Sequence, residues 1–400
     1  MVSVTWGGLA VWTAFLLGSR AVERANDPVY TRNALDAAKA LQSWYDNSAG
    51  LWTTTGWWNS ANCHSSLADW ATLDSAGAKS ISIADTFANT FTKAQVTPVK
   101  VQKRVSSNGL ITSACRLSTG RNSHDLQARG FPGFLNEFYD DEGWWALAWI
   151  RSWDVTHDPR YLSMAKSIFE DMRNGTDSIC GGGIWWSKDR KYKNAIANEL
   201  YLSVAASLAN RVPDRKDLYV DIARREWSWF KSTGMINERN LINDGLVIHA
   251  DGSCANNGLN TWSYNQGVVL GGLVELSRAT GDTSYLDEAT EIGKAALGLL
   301  SDSQGIIRES GGCEPNCGGD GSQFKGVFMR NLHYLHAVAP QDAFRSAILK
   351  NADSIWASNR NGNNQLGISW AGPVEAGGGP NASTHSSAMD VLVGAMAVVS

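Results

Sequence analysis

Charge is scarce in this sequence. Charged residues make up 18% of the 400 and hydrophobic residues 43%, against roughly 25% charged in ordinary soluble domains. So much apolar surface offsets chain entropy and excludes intrinsic disorder. A net charge of −4 with no basic stripe removes the electrostatic case for a nucleic-acid partner. No uninterrupted apolar run reaches the roughly 18 residues of a membrane span. There is no nucleophile-elbow serine, P-loop or dinucleotide fingerprint, and strand-type alternation is rare. Tryptophan, by contrast, is abundant: 18 residues against 10 Tyr and 11 Phe. So much indole means a large core, or aromatic surface kept for a flat, weakly polar ligand such as a sugar.

The cysteines Cys63, Cys115, Cys180, Cys254, Cys313 and Cys317 are even in number and mostly scattered. Only Cys313 and Cys317 are close, in a Gly/Pro loop with no second pair or flanking His, which does not suit zinc. The set reads as disulfides in an oxidising compartment, and no metal or cofactor is expected. Two acceptor sequons, Asn174-Gly175-Thr176 and Asn381-Ala382-Ser383, are compatible with secretion. Residues 1–25 hold an imperfect signal segment: an apolar stretch from Leu9 to Leu17, a cleavage-like Gly18-Ser19-Arg20-Ala21, and no Lys or Arg ahead of it. A secreted, extracellular monomer is expected.

Helical periodicity recurs through most of the chain, and a repeated phrase exposes its plan. Asp158-Pro159-Arg160-Tyr161-Leu162, Asp217-Leu218-Tyr219-Val220 and Asp282-Thr283-Ser284-Tyr285-Leu286 each start with a capping-type Asp and open an amphipathic helix. Alternating with these are helices apolar almost all round and rich in Ala and Gly: Trp58 to Leu73, Trp144 to Trp153, Ala195 to Ala209, Gly267 to Leu276, Gly326 to Ala337 and Ala388 to Val399. A helix apolar on all sides belongs inside a structure, and small residues let its neighbours approach. The exterior set is expected at about 30–46, 80–96, 159–173, 217–232, 284–300 and 341–357. Open solenoids use shorter units with short loops. The expected fold is therefore all-α: a closed (α/α)6 toroid of six inner and six outer helices, a single domain over 26–400. On this plan Ala388 to Val399 closes the ring, so the apolar Val391 to Val399 is not expected to be a removable anchor tail.

The most informative segment is Asn136-Glu137-Phe138-Tyr139-Asp140-Asp141-Glu142-Gly143-Trp144-Trp145. Three carboxylates enter an apolar helix. One acid near a helix N-terminus is ordinary capping, but capping does not need three. A metal site of the terpenoid-cyclase kind would want another acid about four residues on, where Trp144 stands. Caps and ion-pair partners for all three remain one reading, and another is a carboxylate pair acting on a glycosidic bond, with groups about 5–5.5 Å apart for retention or about 6.5–9.5 Å for inversion. Adjacent residues point roughly 100° apart on a helix, which leans towards the shorter separation.

Tyr139-Asp140-Asp141-x-x-Trp144-Trp145 resembles the signature of glycoside hydrolase family 76, the endo-α-1,6-mannanases of fungi and bacteria. Four other segments match in order: Thr55 to Asn62 with Trp57-Trp58; Lys191 to Glu199 with Asn194 and Asn198; Ser263-Tyr264-Asn265-Gln266-Gly267; and Phe324-Lys325-Gly326-x-Phe328-x-Arg330. The resemblance covers about residues 30 to 400 and departs at Cys63-His64. It implies an (α/α)6 barrel and a retaining mechanism with Asp140 as nucleophile and Asp141 as general acid/base. The acid/base must start protonated, and a neighbouring carboxylate raises its pKa.

The candidate sugar-binding residues are Trp57, Trp58, Asn62, Tyr139, Trp144, Trp145, Asn194, Asn198, Tyr264, Asn265, Gln266, Lys325 and Arg330. Asn and Gln offer donor and acceptor together, which suits hydroxyls; capping and packing of the barrel mouth compete as explanations for each. The expected partner is α-mannan or mannooligosaccharide, and the expected activity is hydrolysis. Transglycosylation of a wall or lipid-anchor glycan through the same intermediate, or mannan binding without catalysis, are the alternatives.

Overall fold

The computed structural model describes residues 28–105, 111–117 and 130–399; the signal-like segment 1–25 lies outside them. Thirteen helices run in chain order among these residues: α1 (Pro28–Gln42), α2 (Trp57–Leu73), a short α3 (Ser75–Ser80), α4 (Ile83–Lys93), α5 (Tyr139–Thr156), α6 (Pro159–Arg173), α7 (Ala195–Ala209), α8 (Lys216–Ser232), α9 (Ser263–Thr280), α10 (Ser284–Leu300), α11 (Gly318–Val338), α12 (Asp342–Ser358) and α13 (Ala382–Val399). The apolar helices α2, α5, α7, α9, α11 and α13 each touch the next, and α13 returns to α2, so the inner ring is closed. The amphipathic α1, α4, α6, α8, α10 and α12 lie outside it. The fold is an (α/α)6 barrel.

Burial explains the division. In α7 every residue is buried, whereas α6 buries only Tyr161, Ala165, Ile168, Phe169 and Met172, one stripe of an amphipathic helix. Two glycines allow the inner helices their close approach. A Cβ on Gly267 would stand 2.5 Å from Phe328 Cα, and one on Gly326 only 2.4 Å from Ser387 Cα. The repeated aspartates behave unequally. Asp158 and Asp282 accept from the N–H two residues on, each at 3.0 Å. Asp217 lies inside α8, because a turn at Pro213–Arg215 starts that helix earlier.

Strands are few: the antiparallel pairs β1 (Tyr45–Asp46) with β2 (Leu51–Trp52), β3 (Val99–Val105) with β4 (Ile111–Leu117), and β5 (Leu246–Ile248) with β6 (Cys254–Asn256). The β3–β4 hairpin, which the helical plan does not anticipate, reaches from the end of α4 to lie against α11. Disulfides join Cys180 to Cys254 and Cys313 to Cys317. Cys63 departs from the all-disulfide expectation: its thiol is free and buried, and burial pushes it up to about 12.

Candidate active site at the mouth of the inner ring

α5 begins at Tyr139, so Asp140, Asp141 and Glu142 occupy its first turn, where unpaired backbone N–H groups favour negative charge. All three side chains are nevertheless buried, and burial of a charge demands partners. Asp140 and Asp141 share one. Lys103 Nζ, delivered by β3, lies 2.9 and 2.8 Å from the two oxygens of Asp140 and 2.6 Å from Asp141 Oδ1. The same ammonium stands over the rings of Phe138 and Trp186, 4.6 and 5.5 Å from their centroids. Asn136 Nδ2 donates to the other oxygen of Asp141 at 2.7 Å. Glu142 turns elsewhere. Its Oε1 accepts from the Asn136 N–H at 3.0 Å and meets Lys188 Nζ at 2.9 Å, and Lys188 also reaches Asp171 at 2.8 Å. Three consecutive acids thus separate into a pair on one lysine and a single acid on another.

Burial raises the Asp141 carboxyl to about 7; Lys103 pulls it down and the Asp140 charge pushes it back up. Burial likewise raises Glu142, to about 9, against the pull of Lys188. Lys103 is pulled down by its own burial, and the two aspartates more than reverse this. An acid that holds a proton near neutrality, one residue from a second carboxyl group, is the pairing that acid-catalysed bond cleavage requires. Among the described residues no three His, Cys, Asp or Glu side chains converge as a metal site.

The other candidate residues fall into separate groups. Trp58 and Trp144 stack on each other at 5.5 Å beside the pair, and Trp58 Nε1 donates to Asp320. Trp57 and Trp145 belong to a packed aromatic cluster with Phe131, Phe134 and Trp149. Tyr139 is buried with Lys188 Nζ over its ring. The Tyr264 phenol is held well above its ordinary range by burial, then by the charges of Asp244, Asp140 and Glu199, which places it among those acids. Asn265 is fully buried with neither amide end engaged among the described residues, and Asn194 keeps a free Nδ2 while its Oδ1 caps α7.

Asn198, Gln266 and Lys325 share a different task. Asn198 accepts from Ile184 N at 2.7 Å and donates to Ile184 O at 3.1 Å; Gln266 repeats this on Ile242 at 2.8 and 2.8 Å. Lys325 donates to Ile368 O at 3.0 Å and pairs with Glu314 at 2.7 Å. Each therefore ties a loop to the top of an inner helix. Asn62 and Arg330 meet deeper in the ring: Arg330 donates to Asn62 Oδ1 at 2.9 Å and to both oxygens of Asp390 at 3.0 and 2.8 Å. His64 also sits in the core, with Nε2 2.6 Å from Ser152 Oγ, and burial lowers it to about 3.

The family model for glycosyl hydrolase family 76 matches residues 29–398. The chain belongs to that family. Mannan endo-1,6-alpha-mannosidase DCW1 of Candida albicans is 28% identical to it over 249 residues, which is 58% of this chain and 54% of that protein. Mannan endo-1,6-alpha-mannosidase DFG5 of Saccharomyces cerevisiae is 28% identical over 253 residues, again 58% and 54%. The chain spans about half the length of the curated relatives it matches. Among solved structures, one is similar at a TM-score of 0.72 and 21% identity, covering 93% of this chain and 100% of the other. It is an inactive variant of α-1,6-mannanase GH76A of Salegentibacter sp. HEL1_6, with two consecutive aspartates changed to asparagine and α-1,6-mannotriose bound.

Two residues that contact the aspartate pair are not among the candidate residues read from the sequence. Lys103 reaches the pair only because a hairpin folds over the ring. Asn136 does carry a local signal, a capping-type residue just ahead of an acid-rich helix start.

Proposed function

We propose that this chain is a retaining endo-α-1,6-mannosidase acting on fungal-type mannan, with Asp140 as nucleophile and Asp141 as general acid/base. The observation that carries this reading is the spacing of the pair. Two oxygens that touch one nitrogen at 2.8 and 2.6 Å can be no farther apart than about 5.4 Å; that limit falls short of the roughly 6.5–9.5 Å that an inverting water needs and leaves the shorter separation of retaining sites. The raised carboxyl of Asp141 suits the acid, and the relatives' names supply the substrate class. In the first step an Asp140 oxygen bonds to C1 of the mannosyl unit while the C1–O bond breaks and the departing hydroxyl takes the Asp141 proton. In the second, water gives a proton to Asp141 as its oxygen displaces Asp140. Stacked Trp58 and Trp144, with Tyr264, Asn194 and Asn265, are proposed to face sugar. The two disulfides fit an oxidising, extracellular setting.

The test is digestion of α-1,6-mannotetraose followed by NMR. The wild type is expected to release the α-anomer first. Asp140→Asn and Asp141→Asn are each expected to lose roughly 1,000-fold or more of the activity while folding normally. Release of the β-anomer first, or substantial activity in both variants, sinks the reading. The buried pair admits little water, so a sugar hydroxyl can compete for the same glycosyl-enzyme. Mass spectrometry of products formed with a labelled mannooligosaccharide acceptor separates transfer from hydrolysis.

A further inference from the structure

Asn136 is anchored at both ends of its side chain. The Phe138 N–H donates to its Oδ1 at 2.8 Å, an Asx turn that settles which end of the amide is which. The Nδ2 end must then face Asp141 Oδ2, 2.7 Å away. The Asn136 backbone N–H is fixed as well, on Glu142 Oε1 at 3.0 Å. Asn136 is 3% exposed and Asp141 fully buried, so neither group has solvent as an alternative.

We propose that Asn136 is the positioning residue of the acid/base, holding Asp141 so that its proton rides on Oδ1, the oxygen that faces Asp140 and the reacting bond. The inference rests on the pair acting as described above. In a protonated carboxyl group the carbonyl oxygen is the better acceptor, so an N–H fixed on Oδ2 leaves the hydroxyl to Oδ1. Lys103 Nζ lies 2.6 Å from Oδ1, in the space between the two carboxyl groups; once substrate displaces that ammonium, the Asn136 N–H is the donor left on the carboxyl group and Oδ1 takes the proton. When Oδ1 releases its proton to the glycosidic oxygen, Asp141 becomes an anion. The Asn136 N–H···Oδ2 bond then becomes charge-assisted and strengthens as the bond breaks. When water later returns a proton, Oδ1 receives it again.

The groups facing Asp141 are Lys103 from β3, Asp140 on its own helix and Asn136; Glu142 lies next along α5, with Lys188 and Asp171 behind it. Of these, Asn136 and Lys103 favour the charged acid. Removing the Asn136 donor therefore lets Asp141 keep its proton to higher pH.

Asn136→Asp keeps the acceptor for Phe138 N–H and exchanges the donor for a carboxylate oxygen whose charge also raises Asp141, whereas Asn136→Ala loses donor and acceptor and adds no charge. For both variants the basic limb of the kcat/KM profile on α-1,6-mannotetraose is expected to move up by about one pH unit. Near neutrality kcat should fall roughly 10- to 100-fold with KM little changed. A dinitrophenyl α-1,6-mannobioside, whose leaving group needs no proton, should keep kcat/KM within about threefold of the wild type. Variants whose basic limb and leaving-group dependence match the wild type would show Asn136 to be only a cap on the helix and overturn the proposal. A wild type that leaves mannotetraose intact would instead sink the activity on which the proposal rests.

Discussion

Lys103 puts a positive charge where the proposed mechanism puts a sugar ring. Its ammonium touches both aspartates, and on the proposed mechanism the glycosidic bond lies between those groups. On that mechanism substrate has to displace it. Lys103→Met is expected to lower KM for mannooligosaccharides several-fold. It should also move the basic limb of activity to higher pH, because a cation that lowers Asp141 is gone. Steady-state kinetics across pH 5 to 9 check both, and an unchanged KM would show that the lysine leaves no imprint on binding. At this scale the sequence is half legible. Three acids heading an apolar helix exceed what capping needs, so Asp140 and Asp141 stand out. Lys103 does not, because its meeting with Asp140 spans 37 positions and depends on a hairpin in which it looks like any strand lysine, Lys100 included.

Among the elements, each loop is tied to an inner helix by a polar side chain near its start, as Asn198 ties Ile184 and Gln266 ties Ile242. Asn198→Leu strands both the N–H and the C=O of buried Ile184, and a lost partner for a buried polar group costs about 1–3 kcal/mol. Chemical denaturation should register a loss of about 2–3 kcal/mol; unchanged stability would mean the tie is idle. The same residues explain where periodicity misplaces helix boundaries. The bodies of the inner helices follow from their apolar pattern. Yet α5, α9, α11 and α13 begin four to eight residues ahead of those bodies, because their first turns line the mouth and are polar. The outer helices α6 and α10 match their expected limits, since one amphipathic stripe runs their full length.

The whole molecule carries an unusual set of buried acids. Burial raises Asp141, Asp244 and Glu309 to about 7, Glu226 to about 8 and Glu142 to about 9. A carboxyl raised in the folded state binds protons that the unfolded chain has released, so stability falls as pH rises towards the folded value. Buried His64 and His333, lowered to about 3, and His385, lowered to about 4, act in the opposite sense, but only up to the unfolded value near 6.5. Above that the histidines no longer offset the acids. The melting temperature is expected to drop steadily between about pH 7 and 9; differential scanning calorimetry that finds it level or rising would contradict this balance.

The closing contact of the inner ring, α13 against α2, also sets a timetable. Roughly 300 residues separate the two helices along the chain, and a ribosome adding about 5–20 residues per second needs about 15–60 s to cover that interval. Through that time α2 waits with the side meant for α13 uncovered. Of the described helices the last made is therefore the one that completes the barrel, and until it emerges the uncovered side of α2 is open to aggregation.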